Sequence, residues 1–169
     1  LMNGSAMGIT WADEHVPAIV EAWYPGQAGG KALAEVLFGE TNPGGRLPVT
    51  FYKSVQDLPP FEDYAMEGHT YRYFRGEPLY AFGHGLSYTT FEYSDLQLSR
   101  SRITDTETLS ATLTVRNTGP VAGMETVQLY VRDVETTMFR PDKELKGFAK
   151  VELQPGEEAE VAIELDRRA

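Results

Sequence analysis

Three adjacent pairs of carboxylates are the first residues able to do acid–base or nucleophilic chemistry: Asp13-Glu14, Glu62-Asp63 and Glu157-Glu158. Cleavage of a glycosidic bond needs two carboxyl groups about 5–9 Å apart across that bond. Neighbours in a strand point to opposite faces, and neighbours in a surface turn point into water. Adjacency therefore argues against each pair, and solvated turns are the better reading. The three histidines, His15, His69 and His84, match no helical or loop metal motif by their spacing. The chain contains no cysteine, which removes disulfides, thiol nucleophiles and cysteine metal sites. Gly26-Gln27-Ala28-Gly29-Gly30 opens a helix, where backbone N–H groups can hold an anion, but it lacks both the dinucleotide and the P-loop spacing. Close packing of the helix start explains these glycines better. Asn3-Gly4-Ser5 fits a glycosylation sequon, a short pattern that also arises by chance. No Gly-x-Ser-x-Gly elbow is present. One stretch retains binding potential: Glu67 to Arg75 mixes rings, donors and cations. Tyrosine faces stack on the apolar C–H faces of sugars, which makes Tyr71, Arg72 and Tyr73 the candidate substrate contacts.

The elements that would position these residues follow from composition and periodicity. The chain has 169 residues, 41% hydrophobic and 24% charged, the composition of a globular protein. Its 15 basic and 25 acidic residues give a net charge of −10. Such a balance argues against nucleic acid and against a polybasic membrane anchor as partners. No apolar run approaches the roughly 20 residues of a spanning helix. Acidity is spread evenly: 3 basic and 6 acidic residues over 1–60, 2 and 5 over 61–93, 10 and 14 over 94–169. No acidic tail is marked, so the charges read as solvated faces.

Aromatic residues are unevenly placed, with 12 of the 19 in residues 51–93. That stretch also carries prolines and glycines and follows neither a helical nor a strand period. It predicts an ordered connector glued to what it joins, since a flexible linker would be rich in Gly and Ser. Before it, residues 17–23 form a short apolar run that predicts a buried strand. Lys31 to Phe38 predicts a helix, with Ala32, Leu33, Val36 and Leu37 on one face and Gly39 ending it. Leu47 to Tyr52 suits another strand. After the connector, Leu109, Ala111, Leu113 and Val115 alternate with polar residues. Val127, Leu129 and Val131 do the same, as do Ala159, Val161, Ile163 and Leu165. Period two with turns between predicts an antiparallel two-sheet sandwich. The expected fold is thus an α/β fragment, the end of an α/β sandwich layer, followed by an all-β immunoglobulin-like sandwich. The expected boundaries are 1–55, a connector over 56–93, and 94–169. Both ends read as cut, with further strands expected upstream.

Three blocks in order carry a family resemblance. Val16 to Phe51 contains Val-Pro-Ala-Ile-Val-Glu-Ala-Trp-Tyr-Pro-Gly-Gln and Asn-Pro-Gly-Gly-Arg-Leu-Pro-Val-Thr-Phe. Pro78 to Phe91 contains Tyr-Ala-Phe-Gly-His-Gly-Leu-Ser-Tyr-Thr-Thr-Phe. Val115 to Gly119, Gln128 to Asp133, Arg140 to Phe148 and Leu153 to Glu157 make up the third. Together they resemble the C-terminal region of glycoside hydrolase family 3, of the β-glucosidase and β-xylosidase type. The resemblance implies the end of the α/β-sandwich domain plus a fibronectin type III-like domain. It implies a retaining, exo-acting β-glycosidase that uses no metal or cofactor, with an aspartate nucleophile on a barrel domain and a glutamate acid/base upstream of Asn3. Neither motif occurs in these residues, so the resemblance assigns no catalytic residue here. The implied partners are the barrel and the rest of the α/β-sandwich domain, and through them a glycoside substrate. The family leans to secreted or periplasmic locations. His84 stands where family members often carry Tyr, and a closing strand is expected to be missing after Leu165. An autonomous carbohydrate-binding or interaction module is the alternative reading.

Overall fold

A computed structural model describes residues 1–166. The elements run α1 (Thr10–His15), α2 (Gly29–Leu37), a 3-10 turn (Val55–Asp57), α3 (Thr70–Tyr73), β1 (Phe91–Leu98), β2 (Leu109–Asn117), β3 (Gly123–Val131), β4 (Glu144–Leu153) and β5 (Glu158–Leu165). Two compact units result. The first holds residues 1–41, 46–84 and 138–142, and the second holds 42–45, 85–137 and the rest from Lys143.

In the first unit, α2 forms where the apolar spacing places it, starting two residues earlier than predicted. Leu33 and Val36 are half-buried on its apolar face. Lys31 and Glu35, one turn apart, sit 3.5 Å from each other on the outer side. The helix ends at Leu37, and Gly39 follows its C-cap Phe38 with a φ of +78°, which suits a residue without Cβ. Residues 17–23 form no strand. Their ladder-type bonds are Leu1 N to Val20 O and Ala22 N to Leu1 O, too few to propagate pairing. Likewise Leu47–Tyr52 yields a single antiparallel bridge, Phe51 to Tyr80, instead of a strand. An apolar run becomes a strand only where neighbours take up its N–H and C=O groups.

The second unit is the antiparallel sandwich. One sheet has the order β1-β2-β5 and the other pairs β3 with β4. Val115, Val127, Leu153, Val161 and Ile163 form its core, joined by Phe91, Leu113, Leu129 and Val151. Each such side chain contributes about 2 kcal/mol by leaving water. Gly147 of β4 faces β5 so closely that a Cβ would stand 2.5 Å from the Ile163 side chain. A bulge between Ser94 and Gln97 breaks the register of β1, with Asp95 at φ +55°. The missing closing strand expected after Leu165 falls beyond the described residues.

Asn117 closes one end of this sandwich. It is fully buried. Its amide nitrogen donates to Val121 O at 2.8 Å and to Leu153 O at 3.0 Å. Its side-chain oxygen accepts from Thr89 Oγ1 at 2.6 Å and from Gly119 N at 3.0 Å. The backbone of the same residue bonds Glu157 O and Gly156 N. One residue thereby satisfies groups from the start of β1, the β2–β3 turn, the end of β4 and the β4–β5 turn. Asn117→Ala leaves four of these groups unpaired, and is expected to cost about 3 kcal/mol. Asn117→Asp should cost more, because an oxygen then faces two carbonyls. The denaturation midpoint of the intact protein, at unchanged m-value, is the measurement.

Candidate functional site

Phe51 anchors the first unit at 1% exposure. Its N–H donates to Tyr80 O at 2.9 Å, and its carbonyl accepts from Leu79 N at 2.8 Å. Leu47 N donates to His84 O and Gly83 N to Leu47 O, so residues 47–51 and 79–84 run together without a regular ladder. Rings fill the space between them. Phe51 lies 6.3 Å from both Trp23 and Tyr80, tilted to one and edge-on to the other. Tyr80 in turn stacks on His84 at 5.2 Å.

The sequence-derived candidates lie on α3 and are held from behind. Thr70, the first residue of that helix, has φ +56°, a strained conformation for a β-branched residue. Its N–H donates to Tyr52 Oη at 3.0 Å. Burial raises the Tyr52 phenol above its ordinary value, and that N–H bond partly opposes the shift. The Tyr71 ring stacks on Phe82 with centroids 4.2 Å apart and planes 17° from parallel. The Arg72 guanidinium sits 5.9 Å from the Tyr71 centroid. Tyr73 stacks on Phe139, centroids 5.0 Å apart and planes 21° from parallel. Asp142 N donates to Arg72 O at 3.2 Å, and one Arg75 nitrogen lies 2.7 Å from both oxygens of Asp142. Residues 138–142 are thus a strap laid against α3 within the first unit. Sequence reasoning did not find Phe139 as a neighbour of Tyr73, because no periodicity links positions so far apart.

One or both members of each carboxylate pair hold other parts of the structure. Asp13 accepts the Tyr80 hydroxyl, while Glu14 lies 4.0 Å from His15. Asp63 accepts Ala65 N and Glu157 accepts Gln154 N, both within turns. Two carboxyls are held below the usual range. Glu77 is lowered by its bond with Lys53, and Glu107 first by the Thr104 N–H and then by the Thr104 hydroxyl, with Arg100 adding to it. The shift is opposite to the one a general acid at neutral pH requires. His15 stacks on Trp11 at 4.8 Å and its Nδ1 pairs with Trp11 O. Among the described residues, no group of three or more His, Asp or Glu is placed to hold a metal. The helix start at Gly29 abuts Pro25, where a Cβ would meet the ring at 2.2 Å, which accounts for that glycine by packing. Trp23, the last residue of the run expected to be a strand, is held at φ +51° with its N–H on Glu21 Oε1 at 2.8 Å.

Comparison with known proteins places this arrangement. Residues 1–88 match the glycosyl hydrolase family 3 C-terminal domain, and residues 125–169 match the fibronectin type III-like domain. The chain is 47% identical to a thermostable β-glucosidase B of Acetivibrio thermocellus, over 100% of this chain and 24% of that protein. It is 46% identical to a xylan 1,4-β-xylosidase of Xylanibacter ruminicola, over 99% of this chain and 19% of that one. Among solved structures, β-glucosidase 3B of Thermotoga neapolitana in complex with glucose superposes with a TM-score of 0.86 at 38% identity, covering 96% of this chain and 25% of that chain. A β-glucosidase from Erythrobacter marinus gives 0.85 at 44% identity, covering 99% and 22%. The chain therefore spans about a quarter or less of the length of these relatives.

The Tyr80–Asp13 contact generates a pH prediction. Desolvation, followed by the bond to the Asp13 carboxylate and its charge, pushes the Tyr80 phenol up to about 12. A raised phenol stabilises the fold fully below about pH 10, and that contribution is lost as pH climbs towards 12. Tyr80→Phe should remove one phenol titrating near pH 12 from the ultraviolet difference titration. It should also flatten the loss of stability between pH 10 and 12.

Proposed function

The chain belongs to glycosyl hydrolase family 3, and from that premise we propose that it is the scaffolding C-terminal part of a retaining, exo-acting β-glycosidase. In this reading the enzyme removes terminal β-linked sugars, as β-glucosidases and β-xylosidases do, and both reacting carboxylates lie outside these residues. In this reading residues 1–55 end the α/β-sandwich domain, 56–93 are the connector, and 94–169 are the fibronectin type III-like sandwich, whose first strand already begins at Phe91. Their partners are the barrel and the remainder of the α/β-sandwich domain, which meet the substrate.

The reading is supported by the use that several side chains able to do chemistry find among the described residues, which is to hold backbone and rings. Asp13 is bonded to Tyr80, Asp142 to Arg75, and the Tyr71 and Tyr73 rings to Phe82 and Phe139. Such fixing is what catalysis asks of supporting parts, because a displacement of about 1 Å at the reacting groups can cost about 100-fold in rate.

Replacing carboxylates one at a time in the intact enzyme tests it. Asp13→Asn, Glu21→Gln and Glu125→Gln should each leave kcat on an aryl β-glucoside within about tenfold, since none acts as acid, base or nucleophile. The first sugar released should be the β-anomer, seen by NMR before mutarotation. A loss on the order of 1,000-fold or more, restored by added azide, would place a reacting carboxylate within this chain.

A further inference from the structure

Two short segments of the chain lie in the unit that does not hold their sequence neighbours. Residues 42–45 belong to the second unit, while the residues on either side belong to the first. Residues 138–142 belong to the first unit, yet the β3–β4 connection that contains them starts and ends in the second. Each segment is anchored where it lies. Asn42 bonds Ala122 O, Ser87 Oγ and Tyr88 N, and Gly44 O accepts from Thr126 Oγ1. Phe139 stacks on Tyr73, while Asp142 accepts from the Arg75 guanidinium with both carboxylate oxygens and donates its N–H to Arg72 O. Release of either segment costs all of its bonds together.

The chain has almost no slack where it passes from one unit to the other. Thr41 N donates to Glu35 O in the first unit, and Asn42, the next residue, is held in the second. Past that segment, Gly44 O is bonded in the second unit, and Leu47 N donates to His84 O in the first. At the strap, Asp142 is bound to Arg72 and Arg75. The next residue, Lys143, has its ammonium 5.2 Å from the Tyr130 centroid, and Glu144 pairs with Val131 of β3. Adjacent Cα atoms are about 3.8 Å apart, so anchors on successive residues cannot separate without one of them breaking. We infer that the two exchanged segments act as a reciprocal clasp. Neither unit opens without releasing a piece held in the other, so the two open as one cooperative body. Stability lost in the sandwich core is then lost by the first unit as well. The clasp does not depend on which reaction the enzyme performs, so the function proposed above stands or falls separately.

Hydrogen exchange of the intact enzyme tests the clasp, read by mass spectrometry on peptides from residues 46–84 and 109–131. Val161→Ala removes bulk from the sandwich core. In urea below the unfolding midpoint it should speed exchange of the sandwich peptides about tenfold, and of the slowest 46–84 peptides by the same factor. Ile163→Val gives the same comparison at a smaller step if the alanine variant does not fold. Short flexible Gly/Ser inserts after Thr41, Gly45 and Asp142 then supply slack while leaving every anchoring residue in place. In that enzyme the sandwich peptides should still respond to Val161→Ala, and the 46–84 peptides should no longer do so. First-unit peptides that ignore Val161→Ala in the enzyme without inserts would overturn the clasp. A first-unit response that survives the inserts would overturn it too, because the coupling would then run through other contacts.

Discussion

Backbone that leaves regular structure must still satisfy its N–H and C=O groups, and side-chain amides meet that constraint at the edges of the sandwich. Asn117 uses both amide hydrogens and its oxygen, with four partners, at a fully buried position. Asn42 repeats the device within the second unit. Its nitrogen donates to Ala122 O at 2.9 Å, while its oxygen accepts from Ser87 Oγ and Tyr88 N. Residues 42–45 thereby join the sandwich, and Thr126 Oγ1 adds a bond to Gly44 O. Gly44 lies so close to Met124 that a Cβ would stand 2.8 Å from its carbonyl oxygen. The turn chemistry of Asn-Pro-Gly-Gly is thus used as an attachment rather than as a simple reversal.

The first unit solves the same problem with rings. Its residues 46–84 hold a four-residue helix, a 3-10 turn and one isolated bridge, and little ladder is available to order them. Aromatic stacks and edge contacts around Phe51, Tyr80, Phe82 and Phe139 supply the area that a sheet would otherwise bury. Strain is tolerated at Trp23 and Thr70, each with its N–H taken up by a side-chain oxygen. A region built this way keeps chosen side chains at fixed positions. It suits support of a reaction better than participation in one.

Much of the sandwich was legible because period two survives wherever one strand face meets the core. β5 follows that rule along its length and β2 buries Ala111 and Val115 by it, and the fold class, an α/β fragment followed by a β-sandwich, stands. β1 carries no such signal, since seven of its eight residues are exposed at the sheet edge. In β4 the pattern inverts locally: Gly147 faces β5 while Phe148 points outward at 63% exposure. Hydrophobicity alone assigns those two residues the wrong way round. The apolar runs at 17–23 and 47–52 show the opposite failure, because the sequence announces burial but not the partner a strand needs. Around the candidate site, the α3 aromatics stood out by composition. Their pairing with Phe139 did not, since it depends on a contact between residues 67 positions apart at Arg75 and Asp142.

Labelling of the nucleophile tests the central claim, that this chain holds and does not react. A retaining glycosidase passes through a covalent glycosyl-enzyme intermediate on a carboxylate. A 2-deoxy-2-fluoro glycoside with a good leaving group traps that intermediate, and peptide mapping locates it in the intact enzyme. A single label is expected, on an aspartate outside Leu1–Ala169. A label on any Asp or Glu within these residues would contradict it.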